Sequence, residues 1–220
     1  MRPTILLRGA AMLVLSCMIF YIASKFMTYE ENLNQKKYSQ AFADSKPQVL
    51  NCKMETSCPE GHFPFKITSG AANVIGPTIC FNDQVLMSAI KNNVGKGLNI
   101  ALVNATTGKL LETSFFDMWT GKIESLLTFL KSINSGTILL LASFDDPATK
   151  MTDEARGLFT ELGSSLIFSV NFRDNWIFLG AKPIKEKSPF EQILKNDKKK
   201  NKYENWPEAV EMEGCVPRRI

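Results

Sequence analysis

The sequence predicts an α+β globular domain in which mixed β-sheets are flanked by short helices. Of the 220 residues, 45% are hydrophobic, which is enough to form a substantial core. Strand-length apolar runs and amphipathic helical stretches follow one another in the order β-β-α-β-α-β. Residues 51–220 also contain an even number of cysteines, a pattern typical of an exported domain held by two disulfides. The same alternation of elements disfavours a four-helix bundle.

The N-terminal segment predicts export. An uncharged stretch from Gly9 to Ser24 ends at Lys25, and it is shorter than the roughly 20 residues that a membrane-spanning helix needs. This length favours a cleaved signal peptide over residues 1–24, with a signal-anchor that is trimmed later as the alternative. Residues 25–50 are polar without a sustained period, so we expect a flexible stalk or pro-region before a globular domain at residues 51–220. The protein is therefore expected to be secreted and extracellular, with no permanent membrane span.

The cysteine pattern favours disulfides over a metal site. Cys17 would leave with the signal peptide, and two bridges among the other four cysteines allow three pairings. A zinc site is disfavoured because no CxxC pair occurs and His62 is the only histidine. We expect no metal. The four retained cysteines are Cys52, Cys58, Cys80 and Cys215.

The first clear elements form a hairpin. Leu98–Val103 has β-propensity, residues 104–108 are rich in turn formers, and Lys109–Phe116 predicts the returning strand. Asn104 begins the only N-glycosylation sequon, Asn-Ala-Thr, and is a candidate glycosylation site within this turn. Shorter extended pieces at residues 63–67 and 73–80 precede the hairpin.

Two helices separate the remaining predicted strands. Thr120 is the expected N-cap of the first helix, whose apolar stripe contains Ile123, Leu126, Leu127 and Leu130, and Gly136 is expected to end it. Thr137–Phe144 is apolar throughout, which predicts a central strand. The second helix is predicted between the cap Thr152 and the stop Gly163, and Trp176–Leu179 predicts a further buried strand.

Charge and motif spacing exclude several functions. The formal net charge is +4, but residues 47–220 contain 20 basic and 19 acidic residues, so we expect no nucleic-acid partner. The glycines do not form a phosphate-binding motif, and there is no GxSxG sequence. We therefore expect neither a cofactor nor enzymatic activity. The lysine-rich segment at residues 195–202 predicts a solvated loop, with a contact to heparan sulfate or an acidic receptor as the alternative.

The strongest candidate site combines acidic, cationic and aromatic side chains. Asp145 and Asp146 follow the central strand directly, whereas Arg173 and Trp176 accompany the start of the last one. If the two strands are neighbours, these residues meet at one end of the sheet. Carboxylates, a guanidinium and an indole together suit a glycan pocket. The alternative is structural, with an Asp–Arg salt bridge and Trp176 in the core. Two nearby carboxylates also permit a glycosidase.

Several long segments resemble the secreted "family with sequence similarity three", a group that includes the interleukin-like epithelial–mesenchymal transition inducer and pancreatic-derived factor. The resemblance covers about residues 50–217. Residues 103–104, 145–147 and 180–182 look most similar to the gut-enriched fourth branch, member D. The segments that carry the family resemblance are SGAANVIGP at residues 69–77, KNNVGKGLN at 91–99, FDMW at 116–119, FRDNW at 172–176, KSPFEQ at 187–192 and EMEGC at 211–215.

The resemblance implies cytokine- or hormone-like signalling through a cell-surface receptor on a compact β-β-α fold. It also implies the disulfides Cys52–Cys80 and Cys58–Cys215. The mesenchymal-transition inducer has a free cysteine that supports covalent dimers, and Leu179 stands at the matching position here. We therefore expect a monomer or a non-covalent dimer.

A related domain, similar in its Arg-Asp-x-Trp segment, forms the non-catalytic, glycan-binding stem of a protein O-mannose N-acetylglucosaminyltransferase. This similarity favours Asp145 and Arg173 as polar ligands of a sugar, with Trp176 in support. A lectin-like module is accordingly the alternative to receptor signalling, and a glycan is a second expected partner.

Overall fold

A computed structural model describes residues 57–218 continuously, together with Met54 and eight residues between Met18 and Glu30. Strands and helices within the continuous part belong to a compact unit that spans Leu50–Ile220, and Met1–Val49 is a second unit. The strands are β1 (His62–Thr68), β2 (Thr78–Phe81), β3 (Gln84–Met87), β4 (Gly97–Asn104), β5 (Leu110–Phe116), β6 (Thr137–Phe144), β7 (Asn175–Lys182), β8 (Glu191–Leu194) and β9 (Glu211–Pro217); the helices are α1 (Ile123–Ser132), α2 (Asp153–Glu161) and a short 3-10 helix, Ile167–Ser169.

Two sheets and two α-helices make up this unit, which confirms the predicted α+β class and is not a helical bundle. One sheet has four strands in the order β3-β2-β1-β9, and the other has five in the order β5-β4-β6-β7-β8. All described strand pairs are antiparallel. The prediction of mixed sheets, with parallel as well as antiparallel pairs, is therefore wrong for these strands. The reason is that α1 carries the chain across β4, which leaves β6 beside β4 and opposite to it in direction.

The five-stranded sheet lies between two layers of side chains. Its middle strands β4, β6 and β7 are buried at every position except the last. One face packs against the helices, which contribute Leu126 and Phe159 among others. The other face packs against the four-stranded sheet, which contributes Phe65 and Ile79 among others. Strands covered on both faces have continuous apolar sequences, which is why residues 137–144 could be predicted as central.

The helix boundaries differ from the prediction at both ends of α1, whose C-cap is Ile133 and not Gly136. Thr152 accepts a hydrogen bond from the backbone N–H of Ala155 and caps α2 as predicted, and Gly163 ends the turn beyond it at a φ of 101°. For α1 the prediction of Thr120 as the cap is wrong, because the N-cap is Lys122. The Thr120 hydroxyl instead donates to Asp117, which organises the turn before the helix.

A disulfide joins Cys58 to Cys215, with a distance of 2.00 Å between the two sulfurs. This bond confirms one pairing that the family resemblance implied. It connects the segment before β1 to β9, the strand that pairs with β1 along its whole length. The other implied bridge is Cys52–Cys80; Cys80 is buried on β2, whereas Cys52 lies outside the described residues.

Most of the predicted signal peptide and stalk lies outside the described residues. The described positions between Met18 and Glu30 are helical and exposed. None of the helices in the described part of the chain combines the length and the apolar character needed to span a bilayer.

Candidate functional site

The pairing of β6 with β7 brings the predicted site residues together. The register runs from Thr137 opposite Lys182 to Ala142 opposite Ile177, so the end of β6 and the start of β7 lie at the same edge of the sheet. Asp145 and Asp146 follow β6, and Arg173 precedes β7. All three line one cavity of about 260 Å³, as expected from neighbouring strands.

Two of these residues have unusual backbone conformations. Asp145 has a φ of 65° and Arg173 a φ of 59°, both in the left-handed region that non-glycine residues rarely occupy. Such conformations cost on the order of 1 kcal/mol each and persist only where surrounding contacts hold them. Their presence on both sides of the same cavity indicates that the shape of this cavity is maintained against local backbone preference.

Two aromatic rings contact the guanidinium of Arg173. Its central carbon, Cζ, lies 4.7 Å from the centroid of the Phe172 ring and 4.0 Å from that of Trp206. Arginine stacks favourably on aromatic faces and keeps its N–H groups in a rigid plane. The side chain is therefore fixed with its donors in a defined direction.

Asp145 contacts two other residues that line the cavity. Its Oδ1 accepts a hydrogen bond of 3.0 Å from Nε1 of Trp206, and its Oδ2 lies 3.0 Å from Nζ of Lys96. Only 15% of the Asp145 side chain is exposed, whereas 55% of the Lys96 side chain is. Because both of its carboxylate oxygens are engaged, Asp145 positions Trp206 and Lys96 around the cavity.

Asp146 and Arg173 each have a buried polar atom without a hydrogen-bond partner in the part of the chain that the structure describes. Oδ1 of Asp146 accepts from the backbone N–H groups of Ala148 at 3.0 Å and Arg173 at 3.4 Å. Its Oδ2 and the Nε of Arg173 have no hydrogen-bond partner among the described residues. The expected alternative, an Asp–Arg salt bridge, does not occur among them either. Leaving a buried polar group unpaired costs about 1–3 kcal/mol, so this acceptor and this donor are suited to a ligand.

Trp119 and Phe172 extend the aromatic surface of the cavity towards solvent. Their ring centroids are 5.7 Å apart, and 55% of Trp119 is exposed. Asp117 accepts hydrogen bonds from the backbone N–H groups of Trp119 and Thr120 and so holds the turn that presents the indole. The Thr120 hydroxyl is the main cause of a lowered pKa of the Asp117 carboxyl, and these backbone groups and the charge of Lys96 act in the same direction.

Trp176 is not part of this cavity. It is fully buried in the helix-facing core, its Nε1 donates to Glu191 at 3.0 Å, and its ring packs edge-on against Phe159. The alternation of side chains along β7 directs it to the face covered by helices. The aromatic role that the sequence analysis assigned to Trp176 is taken instead by Trp206 and Trp119.

The sequence analysis missed Trp206 because it lies about 30 residues beyond the Arg173 segment, in a polar loop. The available signal was an aromatic residue followed by Pro207 in a segment with no apolar periodicity. Asn73 and Lys96 also line the cavity and were not predicted.

Other positions singled out from the sequence have separate surroundings. The ring of His62 contacts the backbone oxygen of Glu60, and no group of three potential metal-binding side chains occurs in the described residues. Asn104 lies at the predicted hairpin turn, where its Oδ1 accepts from the backbone N–H groups of Thr106 and Thr107. In the lysine-rich loop, Lys195 pairs with the buried Asp174.

Comparison with known proteins identifies relatives over nearly the whole chain. Residues 96–183 match the family model described as "Interleukin-like EMT inducer". The chain is 50% identical over 222 residues to Protein FAM3C of Danio rerio, covering 99% of this chain and 98% of that protein. It is 49% identical over 221 residues to Protein FAM3C of Homo sapiens, covering 96% and 97%. Protein FAM3A of Mus musculus is 56% identical over 177 residues, covering 80% and 77%.

Proposed function

Because the chain belongs to the FAM3 family, which includes the interleukin-like EMT inducers, we propose that it is a secreted, cytokine-like signalling protein that acts through a cell-surface receptor. The cavity bounded by Asp146, Arg173 and Trp206 is the proposed recognition site. We further propose that the protein is not an enzyme. In support, the relatives that the chain matches are named Protein FAM3C and Protein FAM3A, and neither name denotes an enzyme.

One observation carries the assignment of the site: Oδ2 of Asp146 and Nε of Arg173 are buried without partners among the described residues, and both residues line the same cavity. A hydroxyl group can donate to the carboxylate and accept from the guanidinium at the same time. Aromatic rings beside them supply a surface for the apolar face of a sugar. The site is therefore suited to a hydroxyl-rich ligand, which supports the second candidate function, a lectin-like module.

These two functions are compatible if the sugar belongs to a glycosylated receptor. In that case the cavity binds the glycan and the protein surface around it contacts the receptor chain. We propose no nucleic-acid partner, since the charges of residues 47–220 nearly balance.

Export and processing form part of the same proposal. The short apolar stretch at residues 9–24 supports a signal peptide, a flexible stalk at 25–50 and an extracellular product with no permanent membrane span. An exported chain passes through the secretory pathway, where sequons are glycosylated, and this supports glycosylation of Asn104. N-terminal sequencing of the protein in culture medium should find a chain that starts near residue 25; a retained product starting at Met1 would contradict cleavage.

Within the family, we propose that the chain is of the member D type. The residues at 103–104, 145–147 and 180–182 support this finer assignment. Identities of 49–56% to FAM3C and FAM3A proteins are compatible with a separate branch.

Binding to responsive cells tests the proposed site. Asp146→Asn keeps the shape of the side chain and the Oδ1 acceptor but replaces the unpartnered carboxylate oxygen. A hydrogen bond to a charged group is worth about 1.5–3 kcal/mol, so we expect roughly tenfold weaker binding or more in flow cytometry with labelled protein. Asp153→Asn, at the exposed start of α2, is the matched control and should bind normally. Equal binding by the wild type and Asp146→Asn would remove the cavity from the proposal.

A glycan array separates the two candidate functions. Binding of a defined sugar by the wild type, lost in Asp146→Asn and retained in Asp153→Asn, would support the lectin-like module. A blank array, together with cell binding that depends on Asp146, would support recognition of a protein receptor instead.

A further inference from the structure

The hydrogen-bonding groups that line the cavity of the proposed recognition site are unevenly used. Both oxygens of Asp145 are engaged, by Trp206 and by Lys96, so the charge of this carboxylate is balanced within the cavity wall. The side chain of Arg173 has no hydrogen bond and no ion pair among the described residues, and its Nε is buried. Asp146 keeps a single buried acceptor, Oδ2, without a partner among them. Arg173 is therefore a cation that no carboxylate of the described residues contacts.

The free edge of this guanidinium favours a carboxylate over a neutral acceptor. Its Nε–H and a neighbouring Nη–H lie parallel, a geometry that binds the two oxygens of one carboxylate side by side. Phe172 and Trp206 contact the guanidinium through their rings, which do not use these donors. A charge-assisted hydrogen bond is roughly twice as strong as one between neutral groups. An anionic ligand therefore gains more from Arg173 than a neutral hydroxyl group does.

Lys96 adds a second source of positive charge. Its ammonium group carries more N–H donors than its one ion-pair partner in the described part of the chain, Oδ2 of Asp145, can accept. More than half of the Lys96 side chain is exposed, so its remaining donors are accessible to a ligand in the cavity. The unused cationic donors of Lys96 and Arg173 thus outnumber the one unpartnered buried acceptor, Oδ2 of Asp146. This imbalance favours a ligand that brings negative charge as well as hydroxyl groups.

The lysine-rich loop at residues 195–202 lies beside the same segment. The Asn196 side chain donates to the backbone oxygen of Phe172 at 3.2 Å. The loop contains five lysines and one acidic residue, and Lys198 and Lys199 are exposed without an ion pair among the described residues. Exposed charges of one sign raise the local concentration of an oppositely charged ligand and speed its association. The loop therefore favours the approach of an anion to the cavity.

We propose that the ligand of this cavity is a sugar that carries a carboxylate, either a sialic acid or a uronic acid. The carboxylate binds the guanidinium of Arg173, and a ring hydroxyl of the same sugar donates to Oδ2 of Asp146. This inference rests on the lectin-like function proposed above and names the class of sugar. A sialic acid ends a glycan chain, whereas a uronic acid belongs to a repeating acidic polysaccharide, and both combine a carboxylate with several hydroxyl groups.

Pairs of glycosides that differ only in charge test this class of ligand. The acids are methyl β-glucuronide and methyl α-sialoside, and each is compared with its own carboxamide, which has the same shape and no charge. Each compound is titrated into the wild-type protein while the indole N–H signals of Trp119 and Trp206 are followed by NMR. We expect at least one acid to bind roughly tenfold more tightly than its carboxamide, because only the acid forms charge-assisted hydrogen bonds through both oxygens. The acid that binds identifies the source of the sugar.

Arg173→Gln removes the positive charge and keeps a planar amide donor. In this variant the acid and its carboxamide should bind alike. Lys131→Gln is the matched control, since it removes an exposed positive charge on α1, and it should keep the preference of the wild type. The comparison of acid and carboxamide in the wild type needs no variant, so it decides the proposal even if Arg173→Gln does not fold.

Equal binding of the acids and their carboxamides by the wild type would overturn the acidic ligand and leave the lectin-like function in place. A preference for the acid that persists in Arg173→Gln would overturn the assignment of the carboxylate to this residue. If the wild type bound none of the acids and no neutral glycoside, both the acidic ligand and the lectin-like function would be wrong.

Discussion

Arg173 combines a left-handed backbone, two aromatic neighbours and a buried donor without a partner among the described residues. The left-handed backbone and the unpartnered donor are each unfavourable on their own, whereas the aromatic contacts stabilise the side chain, and this combination is expected where the surroundings are organised for a ligand. Asp146 shares one of these features, because its second carboxylate oxygen is also buried without a hydrogen-bond partner among the described residues. At the scale of single residues, the site is therefore defined by one buried donor and one buried acceptor that have no hydrogen-bond partner among the described residues.

The variant Arg173→Lys tests whether the Nε donor matters beyond positive charge. Lysine keeps the charge but lacks the planar N–H groups and the flat surface that contacts Trp206. We expect at least tenfold weaker binding to responsive cells, with the melting temperature lowered by a few degrees at most. Flow cytometry and thermal unfolding measure the two effects.

Arg156 supplies a control with the opposite behaviour. Its guanidinium donates to the backbone oxygens of Ile167 and Val170, so it ties α2 to the 3-10 helix and does not line the cavity. Arg156→Lys should lower stability and leave binding unchanged. If Arg173→Lys lowered stability alone, in the same way, Arg173 would be a structural residue.

At the scale of elements, a cluster of charged side chains links the neighbouring strands β1 and β9 of the four-stranded sheet. Nζ of Lys66 on β1 lies 2.7 Å from Glu211 on β9, and the Thr68 hydroxyl donates to the same carboxylate. Burial disfavours the charge of Glu211, but the hydrogen bonds from Lys66 and Thr68 outweigh it and lower the pKa of the carboxyl. The hydrogen bond to Glu211 is the main cause of the raised pKa of Lys66.

These directions predict how stability depends on pH. A lowered pKa in the folded state means that Glu211 stabilises the protein above its ordinary pKa of 4.5, and that this contribution is lost as the pH falls below it. For Lys66 the contribution is present below 10.5 and is lost as the pH rises further. Because both side chains are partly exposed, Glu211→Gln should lower the free energy of unfolding at pH 7 by no more than about 1 kcal/mol.

Urea unfolding between pH 3 and pH 8 measures this effect. The difference between Glu211→Gln and the wild type should shrink as the pH falls below 4.5. Glu60→Gln, an exposed carboxylate before β1, should show no such trend. A constant difference at all pH values would mean that Glu211 acts through packing rather than charge.

The elements with strong local signals were predicted correctly from the sequence. Continuous apolar runs identified β6 and β7, and the turn between β4 and β5 identified their hairpin. Strands β8, with four residues, and β9, with seven, were missed because their sequences have neither a sustained alternation nor a long apolar run. Strand β3 was missed although Asn82 and Asp83, both with positive φ, form a typical hairpin turn.

The candidate site was predictable only in part, for a related reason. Asp145, Asp146 and Arg173 flank strands whose adjacency could be proposed, so their meeting was expected. Trp206 and Lys96 lie in loops that line the cavity. A loop has no periodic sequence pattern from which its packing position could be predicted. Trp176 was misplaced because Arg173 lies before β7 and lines the cavity, whereas Trp176 lies within β7, a strand that is covered on both faces.

At the scale of the whole molecule, the two ends of the domain are tied together. Strands β1 and β9 pair over seven residues, and the Cys58–Cys215 disulfide covalently links the segments beside them. The bond closes a loop with a sequence separation of 157 residues. Chain entropy for a loop of this length gives a stabilisation of about 5 kcal/mol as an upper figure.

Loss of this bond should therefore impair the whole domain. We expect Cys58→Ser to lower the free energy of unfolding by up to about 5 kcal/mol and to reduce secretion strongly. The double variant Cys58→Ser, Cys215→Ser separates loss of the bond from the effect of a free thiol. Secretion of either variant at wild-type levels with unchanged stability would contradict this role of the disulfide.

The three tryptophans provide the most direct test of the recognition site. Their indole N–H signals can be followed by NMR while the protein is titrated with methyl glycosides of the monosaccharides found on animal cell surfaces. Trp119 and Trp206 line the cavity, whereas Trp176 is buried in the core and serves as an internal control. We expect a bound sugar to shift the signals of Trp119 and Trp206 and to leave that of Trp176 in place, and we expect no shifts in Asp146→Asn. Saturable binding that leaves Trp119 and Trp206 unchanged, or shifts that persist in Asp146→Asn, would contradict this expectation.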